Sequence, residues 1–474
     1  MNRYKYLFKN IGLLTLSNFA TKLLSFFLVP LYTNILATTE YGIYDLFATT
    51  IGVLIPILTL NIQESVMRFA LDNKYSRRSI VTIGFKYLLI SNTIVLVILG
   101  LNMLVGVSDI VETYSIFFFF MFLSQSLSGI VTAYVRGIDS IAELSVSSVV
   151  ASFVTICCNI LFLVIFRWGL EGYFLANILG PLMQSVYLII KTHIINEINL
   201  KDKFKNEKDA MMIYCKPLIA NSLAWWVNNM SDRYIVIFFC GLAENGIYSV
   251  ASKIPSILNV FQSIFSQAWT LSAVRDFDPE DKSGFFGNTY KIYNCMLVVI
   301  CSAIIVLDKI LAKILYAKDF YMAYEYVPWL TIAIVFGAMS GYIGGFFSAV
   351  KNSKIFAQSS LVGAISNIIM NLILTPLIGP MGAAIATAVS YFEVWAIRYK
   401  HSKRFVKMEI NLSRDIISYG ILGVQAIIIW GIKQNIIFYI VEILLFVFIT
   451  ILYAKDIFMV VNKGKNSILN KEKR

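Results

Sequence analysis

Runs of about twenty apolar residues follow one another along almost the whole chain, and this recurrence limits the fold more than any single motif. Each run is long enough to cross a hydrocarbon layer ~30 Å thick as a helix. Backbone N–H and C=O groups find no water there, so only helices and closed barrels can span it. Runs of this length select helices. Composition agrees, because 58% of the 474 residues are hydrophobic and only 14% are charged. The chain reads as an all-α polytopic membrane protein with about 14 transmembrane helices. The expected spans are 11–36, 41–67, 79–107, 114–135, 144–166, 170–192, 212–239, 247–274, 286–307, 325–350, 355–378, 381–399, 415–432 and 435–454.

Forty Lys and Arg against 28 Asp and Glu give a net charge of +12, which in a soluble protein would suggest nucleic acid. In a membrane protein, cations mark cytoplasmic loops. With the N-terminus inside, Arg167, Lys309, Lys313, Lys318 and Lys433 fall in outer loops, while most of the others fall in cytoplasmic segments. A missed span would invert every later loop, so the asymmetry supports the count and puts both termini in the cytoplasm. Arg3, Lys5 and Lys9 ahead of the first run resemble a signal peptide, but the run is long and no small-x-small cleavage site follows. The six cysteines form no C-x-x-C pair, so neither a disulfide framework nor a metal site is expected.

The sequence also repeats itself. "EYGIY" at 40–44 returns as "ENGIY" at 244–248, and "GLEGYFLA" at 169–176 returns as "GPMGAAIA" at 379–386. Both pairs are six expected spans apart, which points to a duplicated six-helix unit. An even number of helices leaves both copies in one orientation, as in parallel-repeat transporters with sites between the halves. The expected organisation is an N-terminal bundle over 1–192, a polar cytoplasmic linker over 193–211 and a C-terminal bundle over 212–400. Residues 401–474 add two helices and a basic tail.

Several spans carry polar faces. Ser17, Asn18, Thr21, Lys22 and Ser25 share an arc of roughly 140° on the first. Asn221, Ser222, Trp225, Asn228, Asn229, Asp232 and Arg233 do the same on the seventh, and Ser249 to Gln267 with Lys253 on the eighth. Polar groups are costly against lipid, so these faces should look at each other or at a wet cavity. Ser, Thr and Asn also serve as packing glue between membrane helices. Lys22, however, lies ~15 Å from either boundary at 1.5 Å per residue, and ionisable groups at that depth mark substrate or ion paths. Lys22, Arg233 and Lys253 outnumber Asp232, which favours an anionic substrate. "RDFD" at 275–278 has a D-x-D spacing but sits in a short loop. Gly337, Gly341 and Gly345 have the spacing of close helix packing. No nucleotide-binding loop is present, so any energy source is a gradient or the substrate's own imbalance across the membrane.

"LLTLSNFATKLLSFFLVPLYTNILATTEYGIYDLFAT" (13–49), "QESVMRFALDN" (63–73) and "NMSDRYIVIFFCGLAENGIYSVASKI" (229–254) resemble the bacterial polysaccharide-transport flippases. These belong to the multidrug/oligosaccharidyl-lipid/polysaccharide exporter superfamily. The resemblance implies two six-helix bundles in a V around a central cavity, with alternating access and no enzymatic activity. It also implies a polyprenyl-pyrophosphate-linked oligosaccharide as cargo, in the bacterial cytoplasmic membrane, for surface polysaccharide (O-antigen, capsule or exopolysaccharide). Lys22, Arg233 and Lys253, with Asn18 and Asn229, take the substrate-binding role. Asp232 becomes an ion-pair or coupling residue and Arg68 a cytoplasmic gate. No cofactor is expected beyond Na+ or H+ coupling, and the partners are membrane lipids, a polysaccharide polymerase and glycosyltransferases. The alternatives are a cation-coupled drug or metabolite exporter, for which Asp45, Glu64, Glu393 and Glu442 are available, and a lipid II flippase. A membrane glycosyltransferase lacks a loop large enough for a catalytic domain.

Overall fold

The computed structural model describes residues 26–459 apart from Asn73, Asp276, Lys351, Lys433 and Gln434. Within these residues the chain is helical, with short 3-10 and π turns and no strand. Ten of these helices are long and apolar enough to cross a membrane. The four further expected spans differ for identifiable reasons. Most of 11–36 lies outside the described residues, and its end forms α1 (Val29–Ile35). The seventh is long but polar, the eighth is broken, and the last has only 17 residues.

The chain divides into two compact units, residues 1–234 and 235–474. In the first, α2 (Thr38–Leu58) and α3 (Ile62–Ala70) replace the single expected span 41–67. Pro56 removes the N–H that would bond the carbonyl of Gly52. Leu60 and Asn61 then adopt left-handed backbone at φ 52° and 55°, a conformation that L residues seldom take outside turns. Then come α4 (Arg77–Val105), α5 (Ser115–Gly137), α6 (Ile141–Asn159), continued by a π turn over 160–165, and α7 (Gly169–Thr192). Phe47, Ile51, Phe118, Phe122 and Phe174 make one buried cluster. Ile62, Val66, Ile130, Val131 and Leu188 make another, to which Met211, Met212 and Cys215 of α8 (Lys205–Cys240) contribute.

In the second unit, α9 (Leu242–Ala251) and α10 (Ser256–Arg275) are separated by a turn ending at Pro255. The helices α11 (Phe285–Leu315), α12 (Val327–Ala349), α13 (Ser353–Ile378) and α14 (Pro380–Ser402) complete the repeat. Trp269 stacks on Tyr342 at 4.0 Å and donates its indole N–H to the Tyr342 carbonyl at 2.8 Å. Of the glycines at 337, 341 and 345, only Gly345 is forced by contact, against Trp269; Gly341 faces open space. Asp278 of the D-x-D segment and the nearby Asp281 have structural uses. Asp278 accepts the N–H of Lys282 at 2.9 Å. Asp281 accepts those of Phe286 and Gly287 at 2.9 and 2.8 Å, satisfying the start of α11.

The two terminal helices, α15 (Leu412–Gly431) and α16 (Ile436–Leu452), are tied to the second unit by polar contacts. Tyr419 donates to Asn294 at 2.7 Å, Ser302 to Gln425 at 2.8 Å, and Gln425 to Glu442 at 2.9 Å. On α14, Arg398 is 4% exposed. It donates to Ser359 at 2.9 Å, to Ser360 at 2.8 Å and to the Ser340 carbonyl at 3.0 Å, joining three helices.

The second sequence echo has a physical basis. Gly169 and Gly379 are its first residues, and both have positive φ, 57° and 65°, immediately before a helix or at its start. Its second glycines, Gly172 and Gly382, are both packed too closely for a side chain. A Cβ on Gly172 would come within 2.9 Å of Phe162, and one on Gly382 would overlap the backbone of Leu374 and Thr375. Gly382→Ala should therefore destabilise the protein by about 2 kcal/mol through overpacking. Thermal unfolding in detergent, followed by thiol-reactive fluorescence on the six free cysteines, checks this. A transition equal to that of the parent protein would contradict it.

Candidate functional site

In the first unit, α8 runs antiparallel to α2 and α3, and the two are joined by polar contacts over the depth of a membrane. The Arg233 guanidinium lies 2.9 Å from the Asp45 carboxylate, with side chains 13% and 11% exposed. Next to this ion pair, the Thr50 and Tyr234 hydroxyls are 2.6 Å apart. Trp226 donates to the Thr49 carbonyl at 2.9 Å and its ring covers Gly52. Asn61, at the helix break, donates to Ser222 at 3.1 Å, and Ser65 donates to the Met211 carbonyl at 2.6 Å. On the continuous α8, Met211 to Arg233 is 22 residues, about 33 Å of helix at 1.5 Å per residue. The seam therefore matches the thickness of the hydrocarbon layer.

The sequence-predicted residues distribute as follows. Lys22 and Asn18 lie outside the described residues. Asn229, Asp232 and Arg233 share one turn of α8. Asn229 donates its amide to the Trp225 carbonyl at 2.7 Å, and Asp232 accepts the backbone N–H of Arg233 at 3.0 Å. Lys253 belongs to the second unit and is half-buried in the turn between α9 and α10, where Ser256 donates to its carbonyl at 2.6 Å. Arg68 is exposed in the last turn of α3, where its charge favours the negative end of the helix dipole.

Asp45 is the functional candidate that sequence reasoning undervalued. It is legible as an acid inside a span, and its match with Arg233 follows from depth. Asp45 is seven residues from the start of α2 and Arg233 seven from the end of α8, which places each ~10 Å inside its helix. Ionisable groups at such depth pair with one another. Thr50 and Tyr234 give no comparable signal, since neither is charged. The described residues include no group of three or more His, Cys, Asp or Glu suited to a metal ion.

Removing one member of a buried pair leaves the other charge uncompensated, at a cost of roughly 3 kcal/mol. Asp45→Ala and Arg233→Ala should each lower stability by about that amount, and the double variant by less than the sum. A double-mutant cycle on detergent-solubilised protein measures the coupling. Simple additivity would show that the contact contributes nothing.

Similarity to known proteins extends along most of the chain. Residues 7–270, more than half of it, match the family described as polysaccharide biosynthesis protein. The probable low-salt glycan biosynthesis flippase Agl15 of Haloferax volcanii is 23% identical over 221 residues, which are 45% of this chain and 46% of that protein. The alignment thus spans under half of that relative's length. Among solved structures, the lipid II flippase MurJ in an inward closed conformation superposes with a TM-score of 0.67 at 14% identity, covering 94% of this chain and 98% of that one. An inward-facing multidrug-resistance transporter of the same superfamily gives 0.66 at 13% identity, covering 82% and 94%. These likenesses establish the fold. This multi-pass membrane protein therefore belongs to the polysaccharide biosynthesis protein family and has the fold of the multidrug/oligosaccharidyl-lipid/polysaccharide exporter superfamily.

Proposed function

We propose that the protein is a flippase that carries a polyprenyl-pyrophosphate-linked oligosaccharide from the inner to the outer leaflet of the bacterial cytoplasmic membrane. The observation that carries this reading is family membership over more than half of the chain. The relative from Haloferax volcanii, a probable glycan biosynthesis flippase, supports the cargo class. Lipid II itself is the alternative cargo, suggested by likeness to a lipid II flippase, but that likeness supports only the fold.

In this reading the prenyl chain stays in lipid while the charged and sugar groups travel through protein. Lys22, Arg233 and Lys253 contact the pyrophosphate, because charge-assisted hydrogen bonds replace the hydration it loses. Asn18 and Asn229 add neutral contacts, and Arg68 stands at the cytoplasmic end as a gate. The pairing of Arg233 with Asp45 suggests how a cation is kept in an apolar layer between transport events, with Asp45 as counter-ion until an anion takes its place. Asp232 remains a candidate for coupling to Na+ or H+. The product would pass to a polysaccharide polymerase.

Deletion of the gene in its host should abolish surface polysaccharide and leave the lipid-linked repeat unit inside. Complementation with Lys22→Ala should fail, while immunoblots show normal protein in the membrane. Wild-type polysaccharide in the deletion strain would refute the reading. Raised sensitivity to cationic drugs in place of a polysaccharide defect would favour a cation-coupled exporter.

A further inference from the structure

The first unit contains a cavity of about 260 Å3 lined by Tyr44, Gln125, Ser152, Thr155, Asn177 and Pro181, among others. At ~30 Å3 per molecule it has room for about eight waters. The helices around it are membrane-spanning, where cavity walls are ordinarily apolar. These walls are uncharged and about half polar, with Leu28, Ala151, Ile156 and Pro181 supplying the apolar part, and none of the lining residues is Asp, Glu, Lys, Arg or His.

The hydrogen bonds already made inside the wall decide what it can offer. Ser152 donates to the Ser148 carbonyl at 3.1 Å, and Thr155 to the Ala151 carbonyl at 2.9 Å. A hydroxyl has one proton, so both oxygens are left as acceptors. Asn177 donates one amide proton to the Tyr173 carbonyl at 2.8 Å, which leaves its side-chain oxygen as an acceptor and its second N–H as a donor. Pro181 has no N–H, so the backbone carbonyl of Asn177 loses its helical donor and is a further acceptor. Asn159, one turn beyond Thr155, repeats the pattern. Its amide donates to the Thr155 carbonyl at 2.8 Å, and its side-chain oxygen is buried with no hydrogen-bond partner.

A wall that is free of charge, half acceptor-bearing and half apolar selects a neutral ligand that brings donors and also has apolar faces. Acyl chains have no donors, and burying these oxygens against them would cost about 1–3 kcal/mol per group. A metal cation finds no carboxylate among the lining residues. A sugar ring answers the description, because each hydroxyl brings a donor, Gln125 meets those that need to accept, and the apolar Leu28 and Ile156 suit the C–H face of a pyranose. Tyr44 also directly precedes Asp45, so on α2 the cavity and the ion pair to Arg233 are neighbours.

We propose that this cavity holds one uncharged sugar ring of the transported glycan, as a subsite separate from the cationic contacts. The proposal rests on the flippase reading above. It assigns recognition of the glycan to the neutral residues Gln125, Ser152, Thr155 and Asn177, and recognition of the pyrophosphate to the cations.

The test uses full-length protein in its host. The photo-crosslinking residue p-benzoylphenylalanine is placed at Ile156, which lines the cavity, or at Phe153, which is 64% exposed on the same helix. After irradiation, the purified protein is hydrolysed in acid and analysed for monosaccharides. Sugar released from the Ile156 protein at tenfold or more above the Phe153 protein is the expected result. Sugar-free or absent adducts at Ile156 would overturn the proposal. In parallel, Ala151→Phe fills the cavity and should cut surface polysaccharide at least tenfold. Gln125→Leu removes a donor at nearly constant volume and should cut it several-fold if the bulkier variant fails to fold. Full polysaccharide from a stably expressed Ala151→Phe protein would also overturn it. Failure of the flippase reading is distinguishable, since the deletion strain itself would then keep its polysaccharide.

Discussion

Hydrocarbon offers no hydrogen bonds, and the architecture of this chain follows from that lack. Helices satisfy their own backbone, which is why regular structure among the described residues is helical. Side chains obey the same demand. Ser, Thr and Asn throughout the spans donate to the carbonyl three or four residues back, as Thr33, Ser91, Asn92, Thr132, Ser145 and Asn371 do. Each such bond consumes a donor and leaves an acceptor. The result is an interior polar surface rich in acceptors, in which Arg233 and Arg398 are held by partners of their own.

That bias connects the two features of the first unit. At the seam, a cation and an anion at equal depth neutralise each other, and hydroxyl, indole and amide contacts extend the join across the layer. In the cavity, the acceptors are left over and uncharged. In the proposed flippase, placing charge on one side of α2 and neutral acceptors beside it would separate recognition of the anionic head from recognition of the sugars. In the second unit, buried polar contacts serve to fix the added helices to the core, as with Ser302, Gln425 and Glu442.

Much of the fold is legible in the sequence because apolar length is a strong signal. The starts and ends of most described spans fall within a few residues of those expected, and the repeat is visible in glycines that the fold requires at 169, 172, 379 and 382. Helix breaks are less legible. Composition alone does not show that Leu60 and Asn61 leave helical backbone, because the apolar run continues past them; the cause lies in Pro56 and in the bond from Asn61 to Ser222. Glycine spacing misleads at Gly341, which no neighbour approaches. Arg233 stands out as a cation in the membrane, but its partner comes from a helix distant in sequence. The cavity is invisible for a related reason: Gln125, Ser152 and Asn177 are ordinary alone and acquire meaning only when three helices bring them together.

The central claim is that this protein moves a lipid-linked glycan across a bilayer. Purified protein in proteoliposomes, loaded with the host's polyprenyl-pyrophosphate oligosaccharide, tests it directly. A membrane-impermeant periodate oxidation then reads how much of the glycan faces outward. With wild-type protein the inner-leaflet pool should become accessible over time, and with Arg233→Ala at equal protein density it should remain protected. Accessibility frozen at the outer-leaflet fraction, the same with and without wild-type protein, would contradict the account.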